Sequence, residues 1–128
     1  MENVGEKSLY EEIGGAAAID RLVERFYDHV AEDPQLSPIF PNDLSETKRK
    51  QKQFLTQFTG GGPLYTTEHG HLRLRARHLP FEITPERAEA WLECMKQAMD
   101  ESDLPLDASD ALFHRLTLTA SHMVNQSH

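Results

Sequence analysis

Residues 71–81 read His71-Leu72-Arg73-Leu74-Arg75-Ala76-Arg77-His78-Leu79-Pro80-Phe81, and the fold class turns on how they are taken. From His71 to His78 cations alternate with apolar residues at a period of two, the spacing of an edge strand. A strand satisfies its backbone only through a partner, and an isolated one is not stable in water. Nothing long elsewhere reads as strand. The economical reading is an irregular or short helical connection between two helices, ended by Pro80, and the expected fold class is all-α.

The flanking sequence supports that choice. After Gly14-Gly15, apolar residues fall at Ile19, Leu22, Val23, Phe26 and Val30, on one helical face. This helix should stop near Asp33-Pro34, because proline disfavours helical geometry in the residue before it. Leu36 to Asn42 then reads as a loop with two more prolines and an unusually apolar Ile39-Phe40. Asp43 with Glu46 resembles a capping arrangement for a second helix carrying Phe54, Leu55 and Phe58, which Gly60-Gly61-Gly62 should end. Thr84-Pro85-Glu86 reads as an N-cap, a first-turn proline and a first-turn acid, followed by Ala88, Trp91, Leu92, Met95 and Met99 at helical spacing. A fourth helix is expected from about Ala108, with Leu112, Leu116, Thr119, Ala120 and Met123 inward. The 128 residues suit a single domain over 1–128, with 1–8 a loose N-terminal extension.

Charge narrows the partners. Twenty-one acidic against 13 basic residues, net −8, disfavour a nucleic acid or an anionic membrane surface, since phosphate binding needs a clustered positive field. Cys94 is the single cysteine, which rules out an internal disulfide and a cysteine-based zinc site. No basic start with an apolar run and no membrane-length apolar stretch is found, so a soluble, cytoplasmic protein is expected.

With seven histidines, metal chemistry is the first question. A ferritin-like di-iron bundle needs Glu-x-x-His on two helices, and the sequence lacks that pair, as it lacks His-Glu-x-x-His. His69-Gly70-His71 reads as a solvated loop pair. Haem asks for something else: one imidazole in an apolar slot, aromatic and aliphatic walls, and cations for two propionates. His78-Leu79-Pro80-Phe81 offers such an imidazole, although His29 and His122 also border apolar residues and each is equally readable as a structural histidine. Arg73, Arg75 and Arg77 could pair with propionates or form a solvated face. Thr47 and Gln51 share a helical face that leads to Leu55 and Phe58, while Tyr27 and Trp91 carry polar tips on or beside inward stripes. These are either ordinary core groups with satisfied tips or a pocket in which the tips converge on a ligand.

Taken together, Gly14-Gly15, Phe26-Tyr27, Pro38-Ile39-Phe40-Pro41, Phe54-Leu55, Gly60-Gly61-Gly62-Pro63, Arg75 to Phe81 and Ala90-Trp91-Leu92 resemble the group II truncated haemoglobins from about Leu9 to Gln126. The resemblance implies a globin-like fold, a truncated two-over-two helical sandwich around haem b (iron protoporphyrin IX). It implies His78 as the proximal iron ligand, Tyr27, Thr47, Gln51 and Trp91 on the distal side, and Phe40 against the porphyrin. Phe54 and Phe81 join the haem-contacting set, and Lys50, Tyr65 and Arg77 fall where the family meets the propionates. Phe40 stands where some members place tyrosine, removing one distal hydroxyl. The implied function is binding of dioxygen or another diatomic ligand with high oxygen affinity, suited to scavenging, sensing or redox detoxification. An unidentified reductase and a monomer or weak homodimer complete the expectation. The rivals are a weak haem peroxidase or nitric oxide dioxygenase, and a haem-free helical interaction module. A dedicated peroxidase would use a distal His and Arg pair, and neither aligns with the distal stripe.

Overall fold

A computed structural model describes residues 8–70 and 84–123, with backbone alone at 69, 122 and 123. Among these residues there are helices and no strand. They are α1 (Leu9–Ile13), α2 (Gly15–Glu32), a 3-10 turn (Ser37–Ile39), α3 (Ser45–Phe58), α4 (Leu64–His69), α5 (Pro85–Glu101) and α6 (Leu106–Met123). The strand-like run 71–78 lies outside the described residues. None of the helices is long and apolar enough to cross a membrane.

The long helices follow their sequence signals. α2 buries Ile19, Leu22, Val23, Phe26 and Val30 as expected, and Tyr27 with them. It ends at Asp33, whose extended backbone (φ −87°, ψ 123°) is what Pro34 imposes on its predecessor. The Asp33 carboxylate then accepts the N–H groups of Gln35 and Leu36 at 2.8 and 3.2 Å, turning the chain into the apolar loop. At α5, the Thr84 hydroxyl accepts the Arg87 N–H at 3.1 Å, a side-chain N-cap with proline in the first turn.

One local expectation is corrected, and two features appear that the sequence did not announce. The Asp43–Glu46 capping box does not form: α3 starts at Ser45 behind Leu44, Asp43 Oδ1 accepts the Ser45 N–H at 3.0 Å, and Glu46 pairs with Arg49. The capping box sits at Ser8 and Glu11 instead, where the Ser8 hydroxyl accepts the Glu11 N–H and the Glu11 carboxylate accepts the Ser8 N–H. Ser8, assigned by sequence to a loose extension, therefore caps α1. The glycine triplet is followed by α4, which no sequence signal announced.

α2 packs on α5 and α3, α5 on α6, and α4 on α3. The α3–α4 tie is polar. Arg49, Gln53 and Gln57, spaced four apart on one stripe of α3, reach across to Glu68, Glu68 and Thr66. The opposite stripe, with Thr47, Gln51 and Phe54, is thereby left facing inward.

Cys94 is buried between α5 and the end of α2, its sulfur 4.0 Å from Asp33 Oδ2. Burial, with the negative charges of Asp33 and Glu93, pushes the thiol up to about 11. Only thiolate reacts rapidly with disulfide reagents. The folded protein should therefore leave Cys94 unlabelled by a thiol reagent at pH 8, while the chain in denaturant labels fully. Equal rates in both states would contradict this burial.

Candidate functional site

A cavity of about 270 Å³ opens between α2, α3, α4, α5 and α6. Its walls are mostly apolar: Leu36 and Ile39 from the loop after α2, Phe54 from α3, and Leu116 and Ala120 from α6. Tyr65 enters from α4, buried and edge-on to Phe54 with ring centroids 6.3 Å apart. The apolar Ile39-Phe40 of the loop is thus accounted for, since both side chains line this space.

Into these walls the structure sets a few polar tips. Tyr27, 3 % exposed, lies edge-on to Phe26 and Phe40, with ring centroids 4.8 and 5.8 Å away. Burial alone pushes its phenol well above the ordinary tyrosine range, so the group stays protonated and remains a hydrogen-bond donor. Trp91, half-buried on α5, meets Phe26 at 5.1 Å in an edge contact. Thr47 and Gln51 line the same space from α3. Gln51 Nε2 is fully enclosed and has no hydrogen-bond partner among the described residues, a costly state for a buried donor. Lys50 is exposed and contributes to the wall, a cation at the edge of an apolar space.

The structure therefore brings together Tyr27, Phe40, Thr47, Lys50, Gln51, Phe54, Tyr65 and Trp91 from the sequence-derived set. His78, Arg77 and Phe81, with Arg73 and Arg75, lie outside the described residues. His29, an alternative imidazole, faces away into a polar groove where its Nε2 is 3.0 Å from the Glu101 carboxylate. Sequence reasoning placed Ala88, Leu116, Thr119 and Ala120 only on inward helix faces, and it missed Leu36 and Arg87 as parts of the site. Arg87 lines the cavity although no arginine was expected near the distal groups, and its Nε donates to the Gln35 carbonyl at 3.2 Å. Its only signal was its place four residues before Trp91, one turn away on the same face.

Comparison with known proteins agrees with this architecture. The family model for bacterial-like globins matches residues 8–125. Group 2 truncated hemoglobin YjbI of Bacillus subtilis is 63% identical over 118 residues, covering 92% of this chain and 89% of that protein. The crystal structure of the group II truncated hemoglobin from Bacillus anthracis superposes with a TM-score of 0.94 at 59% identity, covering 96% of this chain and 95% of that one. The truncated oxygen-avid haemoglobin from Bacillus subtilis gives 0.90 at 61% identity, over 93% of this chain and all of its own described length (100%). An all-helical chain closing an apolar, donor-bearing cavity, matched over nearly its whole length by these proteins, belongs to the group II truncated haemoglobins of the bacterial-like globin family, with their two-over-two helical fold.

Proposed function

We propose that the cavity holds haem b and that the chain binds dioxygen or another diatomic ligand there, tightly and with slow release. The observation that carries this reading is Gln51 Nε2, a donor enclosed at the cavity without an acceptor. A buried N–H of this kind is tolerated where a ligand completes it. The residues present fit the group: flat aromatic and aliphatic walls for the macrocycle, and Lys50 at the edge for a carboxylate. His78 would supply the axial imidazole, and Tyr65 and Arg77 would join Lys50 at the propionates. Phe40, Phe54 and Phe81 would pack on the ring. Haem, when bound, supplies the iron at which a diatomic ligand is held and made electron-rich.

The remaining work falls to this chain's side chains. Tyr27 presents a phenol that stays protonated, and Trp91 and Gln51 bring N–H groups, so the guest meets donors from three elements. Thr47 is short enough to leave room beside them. Among the described residues no carboxylate or imidazole lines the cavity, an arrangement suited to retaining a ligand rather than passing protons through a peroxidase cycle. The oxygen avidity named for the Bacillus subtilis structure supports the same expectation for this chain.

The test is haem titration followed by oxygen release. One equivalent of haem should give a saturating Soret band; a colourless protein would favour the haem-free interaction module. Hydrogen bonds to a charged partner contribute about 1.5–3 kcal/mol, so Tyr27→Phe should speed oxygen dissociation by roughly ten- to a hundredfold. An unchanged off-rate in stopped-flow displacement would assign retention to Trp91 or Gln51. Gln51→Leu separates the two roles of that residue. Removing a buried unsatisfied donor relieves a penalty of about 1–3 kcal/mol, so the haem-free variant should unfold at equal or higher denaturant while the oxygenated form releases its ligand faster. A haem-free protein that became less stable would show that the amide is already satisfied.

A further inference from the structure

The glycine triplet between α3 and α4 contains two residues whose backbone demands glycine and one whose backbone does not. Gly60 and Gly62 sit at φ +96° and +121°, left-handed conformations that a side chain resists. Gly61 is not among the positive-φ residues, so alanine there would meet no such backbone penalty. What excludes a side chain is Tyr10. A Cβ on Gly61 would stand 2.5, 2.7 and 2.8 Å from three carbons of the Tyr10 ring, far inside ordinary carbon contact. The same ring lies 3.8 Å from where a Cβ of Gly15 would be, so it bridges the entry to α2 and the exit from α3. One backbone contact reinforces the seat, the Tyr10 N–H donating to the Thr59 carbonyl at 2.8 Å, and Ser8 closes the space beside it, its Cβ 3.3 Å from where a Cβ on Gly60 would stand.

This turn leads directly into α4, which carries Tyr65 into the cavity wall. Side chains of α3 hold α4 from Thr66 onward. The stretch before Thr66 takes its course from the turn. We propose that Tyr10 is a positioning residue for the cavity: its ring, seated on the bare Cα of Gly61, sets where α4 begins and where Tyr65 closes the wall, and so slows the escape of haem. The haem half of this statement rests on the function proposed above; the seating of α4 does not.

Amide exchange and haem transfer test the two halves separately, on Tyr10→Ala, Tyr10→Phe, Gly61→Ala and the Tyr10→Ala/Gly61→Ala double variant. Leu112→Ala, buried and not among the lining residues, serves as a control of global destabilisation. The amides of Gly61, Leu64 and Thr67 are hydrogen-bonded in this region, at 2.7, 3.0 and 2.9 Å, and report on it. In Tyr10→Ala they should exchange at least about tenfold faster than global unfolding explains, and haem should pass several-fold faster to an acceptor apoprotein. Tyr10→Phe keeps the ring and should behave as wild type. Gly61→Ala should reproduce the Tyr10→Ala effects alone but add little in the double variant, because its clash partner is gone. Should Tyr10→Ala fail to fold, Gly61→Ala carries the same comparison against Leu112→Ala. Exchange no faster than the control accounts for, or fully additive effects, would overturn the seat; faster exchange with unchanged haem transfer would overturn its role at the cavity. Wild-type chain that takes up no haem would instead overturn the haem reading, and the exchange rates would still decide the seat.

Discussion

His78→Ala is expected to abolish the Soret band of a histidine-ligated ferrous haem, and added imidazole is expected to restore it. The described cavity wall contains no histidine, cysteine or methionine, so a nitrogen or sulfur axial ligand of those kinds has to come from elsewhere in the chain. The segment joining α4 to α5 is the candidate we test, because Tyr65 before it and Arg87 after it both line the cavity. Of the two histidines in that segment, His78 is the one followed by Leu79-Pro80-Phe81, an apolar run that would leave a neutral imidazole available to iron. His29→Ala is the control: its ring is already engaged with Glu101 at 3.0 Å in a different groove, and its loss should leave the spectrum unchanged. A His78→Ala protein indistinguishable from wild type would remove this residue from the site.

Phe26→Ala is expected to be the most destabilising of the core truncations. The side chain is fully enclosed (0 % exposed), and its ring meets Tyr27 at 4.8 Å and Trp91 at 5.1 Å, both edge-on. Truncating a buried phenylalanine costs about 3–5 kcal/mol through lost transfer energy and the cavity left behind, which in a domain of this size lowers the melting temperature by roughly 10–20 °C. Because the ring braces both donors, a second effect should follow. Tyr27 and Trp91 gain freedom, the donors lose their fixed aim, and oxygen should leave faster. Leu112→Ala, another fully enclosed side chain but one that does not line the cavity, should lose stability without changing the off-rate. Equal off-rate changes in the two variants would mean that Phe26 acts through stability alone.

The features that were legible in the sequence are those whose signal is local. α2 and α5 are long enough for periodicity to accumulate, and each is bounded by chemistry a few residues away: Pro34 after one, Thr84-Pro85 before the other. α1 and α4, of five and six residues, were not legible, because helices so short owe their stability to what they pack on. α4 is held through Glu68 and Thr66 by α3 side chains up to 19 positions away, which no local window contains. The Asp43 cap failed for a related reason: a carboxylate can turn its own loop through the N–H two residues on, as it does with Ser45, and sequence does not say which donor it takes.

At the site the division is similar. The residue types were readable one by one, because Tyr27, Thr47, Gln51 and Trp91 place polar groups on or beside apolar stripes. What a linear pattern does not carry is that α2, α3 and α5 aim them at one cavity, that α6 closes its far side with Leu116 and Ala120, and that Arg87 comes with Trp91. Nor does it reveal that Gln51 is left without an acceptor. The helical fold class and the family could be read from the linear chain, since helical period, caps and a specific run of motifs are encoded over short spans. Where the donors converge and why Gly61 has to be glycine emerge only from packing, because both depend on contacts between residues distant in sequence, and those exist only once the helices have come together.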